Sequence, residues 1–314
     1  MNQQFGGETF TNPIMPEGAD PWVIYAGGNY YICGADGDRG LYLMKAPKPH
    51  GFNQGQKQLI YQAPEGTEYS HNIWAPELHY LEGCWYVYFA ADDGKNENHR
   101  MYVLRGGTNG EDPLQGTYTF LGKIADETDR WAIDGTILSL NHKLYFIWSG
   151  WEGDENVKQN LYIAKMSNPY TIIGPRVCIS TPDREWERHG EPYVNEGPEV
   201  LIKGNSVHII YSASGSWTND YCLGRLTCKD NDVLNPEAWQ KEGPVFAKAG
   251  TVFGPGHASF IQSAKEGRDY IIYHAAKRDG SGWDRNIRMQ SFTWDEDIPV
   301  FGKPVSEGTV LDWL

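Results

Sequence analysis

Five polar residues recur at near-equal spacing along the chain. They are Asp20, Glu77, Asp134, Glu196 and His257, at intervals of 57, 57, 62 and 61 residues. Four are carboxylic acids and the fifth is an imidazole. Like charges gathered in one place shift one another's pKa values and cost stability, so a plain scaffold has no use for them. In a concave site such a cluster suits proton transfer. Cleavage of a glycosidic bond needs that chemistry: one carboxylic acid protonates the leaving oxygen, and one carboxylate attacks or activates water. A third acid nearby can keep the first protonated near neutral pH.

A repeat would bring these residues together. Each opens a similar stretch: a short strand, a tight turn and a second, aromatic-rich strand. The turn signals are GGN, LEG, LNH, KGN and KEG. A further short strand follows in each copy, beginning at Gly40, Arg100, Asn160, Tyr221 and Asn286. The expected unit is about four short strands, which is a propeller blade. Five blades around a channel make an all-β, five-bladed β-propeller, read as one catalytic domain over residues 1–314. The first residues of the innermost strands would meet at one channel mouth.

Composition agrees. Aromatic residues make up 13% of the chain, and 36 Gly and 18 Pro supply turns. The formal net charge is -14, with no basic footprint for nucleic acid. The five cysteines, Cys33, Cys84, Cys178, Cys222 and Cys228, are odd in number and form no CxxC pair, against a disulfide framework or a structural zinc site. The start MNQQFGGETF lacks the basic and apolar regions of a signal peptide, and no run of about 18 apolar residues exists. The expected location is therefore the cytoplasm, or outside the cell if a leader has been removed, with no membrane partner. No GxSxG, P-loop, HExxH or Rossmann fingerprint is present.

Several motifs stand in order at blade spacing: Ala19-Asp20-Pro21-Trp22, Trp74-Ala75-Pro76-Glu77, Ala132-Ile133-Asp134-Gly135, Asn195-Glu196-Gly197-Pro198, Gly256-His257-Ala258 and the segment around Arg285. With them the chain resembles glycoside hydrolase family 43 over nearly its whole length. The resemblance implies that Asp20 is the general base, Glu196 the general acid, and Asp134 the residue that orients the acid and raises its pKa. It implies inversion at the anomeric carbon, with base and acid about 6.5–9.5 Å apart to admit a water. It places His257 beside a hydrated calcium or sodium ion in the channel, or beside water alone, and needs no cofactor for chemistry. It puts an arginine in the sugar subsite, with Arg285 favoured over Arg288. Glu77 would balance the ion or bond His257.

Aromatic side chains at strand ends could stack on sugar faces. Among Trp22, Trp74, Trp148, Trp151 and Trp217, Trp74 is the favoured wall, with Phe253 as a second and His71 and Asn72 as further sugar contacts. The run of motifs is most similar to the family's single-domain α-L-arabinofuranosidases, which release terminal arabinose from arabino-oligosaccharides or arabinan. Rival readings are an endo-arabinanase and a β-xylosidase. The xylosidase is disfavoured because the family's xylosidases usually carry a C-terminal β-sandwich. A rival of another class is a sugar-binding propeller without catalysis, which would not need the acid triad. A WD-type scaffold would show Trp-Asp pairs at blade period, and Trp283-Asp284 and Trp294-Asp295 do not keep it.

Overall fold

The structure, a computed structural model, describes residues 8–314. Met1–Gly7, part of the stretch read for a leader, lie outside them. Four antiparallel sheets of four strands follow one another. Blade I holds Trp22–Ala26, Asn29–Asp36, Gly40–Ala46 and Gln58–Gln62. Blade II holds His71–Leu81, Cys84–Asp92, Arg100–Arg105 and Thr119–Ile124. Blade III holds Ala132–Leu140, Lys143–Gly150, Lys158–Asn168 and Thr171–Ser180, and blade IV holds Tyr193–Lys203, Ser206–Ala213, Cys222–Cys228 and Gln240–Phe246. Lys158 and Gln159 also pair in parallel with Tyr193 and Val194, joining blades III and IV.

Blade V departs from the expected count. It has three strands in sequence, Phe253–Gln262, Asp269–Ala276 and Arg285–Ser291. Its outer edge is covered from the other end of the chain. Ile14 donates to the carbonyl of Ile287, Ile287 donates to that of Met15, and Gly18 donates to that of Arg285. Asn12 exchanges two side-chain hydrogen bonds with Met289 at 2.8 and 2.9 Å. The ring is thus closed by main-chain pairing, which leaves blade V no open edge at this point.

The turns explain the hairpins. Gly27 and Gly28, Glu82 and Gly83, and Asn141 and His142 all have positive φ in pairs. Such turns match the twist of the flanking strands. The second strand of each blade is apolar on both faces because it has a blade on either side. Ile209 packs toward blade III and Ile210 toward blade V; Ile272 packs toward blade I and Ile271 toward blade IV. Phe146 and Ile147 divide in the same way. The result is five apolar clusters, one for each neighbouring pair of blades. Each fully buried aliphatic side chain contributes about 1.5–3 kcal/mol, so the wedges hold the ring. The five cysteines are free, as expected.

The inner strands share one irregularity. Asp20, Ala75, Asp134, Gly197 and His257 all lie in the left-handed region, with φ of 48, 43, 54, 53 and 47°. In blades II to V the pairing register slips around this residue, which marks a bulge. The bulge turns that residue toward the channel mouth. Two residues further on, Trp22, Glu77, Thr136, Glu199 and Ser259 occupy a second position in every blade. Glu77 is therefore not the equivalent of Asp20 and Asp134, as its spacing suggested. That position in blade II is Ala75.

This second layer holds a buried acid pair. Glu77 Oε2 lies 2.8 Å from His79 Nε2, not against His257. Glu199 is buried, its Oε1 finds no hydrogen-bond partner, and the Glu77 carboxylate is close enough to act on its charge. Burial, then Glu77, push the Glu199 carboxyl well above its usual range. Folded Glu199 keeps its proton while the unfolded chain releases it above about pH 4. Its contribution to stability is thus full below that pH and is lost as pH rises. Glu199→Gln, which keeps the neutral shape, is expected to gain in Tm relative to the native protein between pH 5 and pH 9. A Tm difference independent of pH would show that Glu199 is ionised in the fold.

Candidate active site

The three acids reach one cavity from three blades. A space of about 590 Å³ is lined by Asp20, Asp134, Glu196, His257 and Arg285, with Trp74, Trp131, Trp217 and Trp283 among its walls. A neighbouring cavity of about 490 Å³ shares Ala19, Asp20 and Trp74 but holds neither Asp134 nor Glu196. The chemistry therefore belongs to the first.

Local backbone demands explain the motif glycines. Gly197 sits at the left-handed bulge position, which strains any residue with a Cβ. Gly135 has no room for one: a Cβ would lie 2.2 Å from the Phe146 ring. Their backbones also serve the acids. Gly197 N–H donates to Asp134 Oδ2 at 3.0 Å. Glu196 follows Asn195, whose side chain is fixed by Ser180 and by the buried Glu187, at 2.7 and 3.0 Å. Ser149 Oγ donates to the Asn195 carbonyl at 2.8 Å.

The electrostatics separate the carboxyls. Asp20 Oδ1 lies 3.1 Å from His257 Nδ1, 3.3 Å from His274 Nδ1 and 3.5 Å from an Arg285 nitrogen. Burial raises the Asp20 carboxyl, but His257, His274 and Arg285 outweigh it and hold it well below the usual carboxylate range. His274 is itself pushed down to about 3, by burial and then by Arg285. It is thus a neutral imidazole at pH 7, and its Nδ1 accepts the backbone N–H of Asp20 at 3.1 Å. Glu196 is pushed up to about 7 by burial, with Asp20 adding to the rise, against the Tyr221 hydroxyl that donates to its Oε1 at 2.9 Å. Asp134 is also raised, by burial and by Glu196. The two titrate as a pair that keeps a proton near neutral pH. Each acid has one donor that favours its charge, the Gly197 N–H on Asp134 and the Tyr221 hydroxyl on Glu196.

Arg285 is the arginine at the cavity. Its Nε is buried without a partner. Arg288 lies on the opposite side of the same strand, where it bonds Asn286 at 2.8 Å. Trp74 lines the cavity and stacks on His99, with ring centroids 4.0 Å apart. Three expected sugar contacts are not brought to the cavity. Asn72 spends its amide on both oxygens of Asp92, at 3.0 and 3.1 Å, and Asp92 holds His99 at 2.9 Å. It supports the Trp74 platform from behind. His71 is exposed and bonds Ser70. Phe253 pairs with Ala276 and stays outside the lining. Trp22 stacks on His79, and Trp148 and Trp151 are buried between blades II and III.

His257 was expected beside an ion. Its Nδ1 faces Asp20, and Asp134 Oδ2 lies 3.9 Å away. Among the described residues no three His, Cys, Asp or Glu side chains converge as metal ligands. The residues present do not fit a metal held by protein side chains.

The model of the glycosyl hydrolases family 43 matches residues 10–299. The chain belongs to glycosyl hydrolase family 43. Family 43 chemistry needs no cofactor. Among its relatives is the extracellular exo-alpha-(1->5)-L-arabinofuranosidase of Streptomyces avermitilis, 37% identical over 96% of this chain and 64% of that protein. The protein of the same name from Streptomyces chartreusis is 32% identical over 85% of this chain and 82% of its own. The crystal structure of an alpha-L-arabinofuranosidase from Lactobacillus brevis superposes with a TM-score of 0.86 at 33% identity, covering 96% and 98% of the two chains. The chain spans 64% of the length of three of the curated relatives. Two relatives are extracellular by name, which gives the cytoplasmic expectation no support. No helix among the described residues is long and apolar enough to cross a membrane.

Tyr221 and His274 were not singled out from sequence for this family 43 site. His274 stands in the second strand of blade V and Tyr221 immediately before the third strand of blade IV, where aromatic residues ordinarily serve packing. Their rings stack at 5.5 Å and touch Glu196 and Asp20 respectively. Tyr221 keeps the period of the third strands but reads there as a packing aromatic, and nothing in the repeat marks His274.

Proposed function

We propose that the chain is an inverting α-L-arabinofuranosidase, built as one propeller domain over residues 1–314, that removes terminal α-L-arabinofuranose from arabino-oligosaccharides or arabinan. The observation that carries this reading is the split of protonation within one cavity. Asp20 is held ionised while Glu196 is pushed up to about 7. Carboxyls driven apart in this way take the base and acid roles. Asp20 accepts a proton from a water that attacks the anomeric carbon. Glu196 gives its proton to the leaving oxygen as the glycosidic bond breaks. Asp134, held by the Gly197 N–H, shares the pair's proton with Glu196 and orients the acid.

Arg285, with a buried Nε lacking a partner, binds sugar hydroxyls, and Trp74 walls the pocket. Substrate identity is supported by relatives at 32–37% identity that are named as α-L-arabinofuranosidases. A calcium or sodium ion in the channel would have to bring its shell as water. His257 acts here as the partner of Asp20.

The test is a panel of nitrophenyl α-L-arabinofuranoside, nitrophenyl β-D-xyloside and linear arabinan, with products resolved by size and the first anomer read by NMR. The expected result is single arabinose units released first in the β form. Xylose alone, longer fragments alone, or a first α anomer would each overturn the corresponding part of the proposal.

A further inference from the structure

Two tryptophans stand at the mouth of the acid cavity without a part in its chemistry. Trp217 lies in the loop between Ser206–Ala213 and Cys222–Cys228, and Trp283 in the loop between Asp269–Ala276 and Arg285–Ser291. Trp217 is 37% exposed and Trp283 is 67% exposed. A large apolar ring left in water loses the burial that normally repays it. Yet both rings are held in place. Trp283 Nε1 donates to Ser216 Oγ at 3.0 Å, and the two indoles meet edge to face with centroids 6.2 Å apart. Asn219 ties the loops together, donating to Asp279 at 2.6 Å and accepting from Gly280 N–H at 3.0 Å. Gly215 lets Trp217 lie against bare backbone, since a Cβ there would sit 2.6 Å from its ring.

We infer that Trp217 and Trp283 form a subsite for the sugar on the leaving side of the scissile bond, stacking the apolar C–H face of a second pentose unit. The inference rests on the proposed glycosidase reading. The side follows from the acid. Glu196 must stand beside the departing oxygen, and its strand pairs with the one that runs into the Trp217 loop, with Glu196 opposite Ser212. Trp74 stands instead on blade II, against His99. A platform whose rings are already ordered costs little conformational entropy on binding. It therefore raises the affinity for chains of two or more units over substrates with a small leaving group.

The test compares kcat/KM for arabinobiose and arabinotriose with that for methyl α-L-arabinofuranoside, in the native protein, Trp283→Ala and Trp283→Phe. Arabinotriose binding is measured separately, by calorimetry on Glu196→Gln with and without Trp283→Ala. The ratio of oligosaccharide to methyl glycoside is expected to fall about tenfold in the alanine variant, with a similar loss of affinity and substantial recovery in Trp283→Phe. An unchanged ratio together with unchanged affinity, in a protein that cleaves arabinofuranosides, would overturn the subsite alone. A native protein that cleaves no arabinofuranoside would overturn the functional reading instead.

Discussion

Glu196→Ala is expected to lose arabino-oligosaccharide hydrolysis by about 10²–10⁴-fold while keeping most of its rate on a nitrophenyl arabinofuranoside. A sugar alkoxide departs only as it is protonated. A nitrophenolate is stable enough to depart alone, so removal of the acid barely affects it. The pH profile sharpens the test. Glu196 must hold its proton to act, so native kcat/KM on the oligosaccharide falls as pH rises through about 7. That alkaline limb should vanish for the activated substrate in Glu196→Ala. Tyr221→Phe removes a donor to the charged carboxylate and so moves the limb to higher pH. Equal losses on both substrates would mean that Glu196 supports the site's shape rather than donating a proton. The buried network from Glu187 through Asn195 is the natural alternative source of such an effect.

Much of this site could be read from sequence because a propeller converts spacing into position. Asp20 just precedes an inner strand and Asp134 and His257 sit at the bulges of theirs, and the closed ring of five wedges brings these positions together whatever the loops between them. The hairpins were legible because their turns need positive φ, which GGN and LNH supply cheaply. Register within an inner strand was not legible. A bulge at the left-handed residue decides which side chain faces the mouth, and residue type does not mark it, since Asp, Ala, Gly and His all occupy that position. Glu77 kept the period and still fell one layer deeper, while Glu196 stands one residue before its blade's bulge position. Blade V's closing strand was invisible for a related reason. Its partner lies at the far end of the chain, and a two-residue pairing at Ile14 and Met15 leaves no periodic signal. Tyr221 and His274 touch their carboxylates from other parts of the ring, which only the assembled fold reveals.

Asp20→Ala is expected to lose about as much activity on the nitrophenyl arabinofuranoside as on the oligosaccharide, at least 10²-fold on each. Water must be deprotonated as it attacks, however good the leaving group, so the symmetry of the loss separates base from acid. The surroundings of Asp20 suit the proposed base role. His257 and Arg285 keep it ionised, and neutral His274 accepts its backbone N–H, so the carboxylate is presented charged and fixed. Azide needs no deprotonation, and removal of the carboxylate leaves room for a small anion beside Arg285. Added azide should therefore restore turnover in Asp20→Ala and leave a glycosyl azide of inverted configuration. The anomer released by the native protein completes the test, because a nucleophilic Asp20 would show the same azide rescue but release the α form. Near-native turnover in Asp20→Ala, or a retained anomer from the native protein, would remove Asp20 from the base role. It would leave the pairing of His257, His274 and Arg285 around one carboxylate without a catalytic reason.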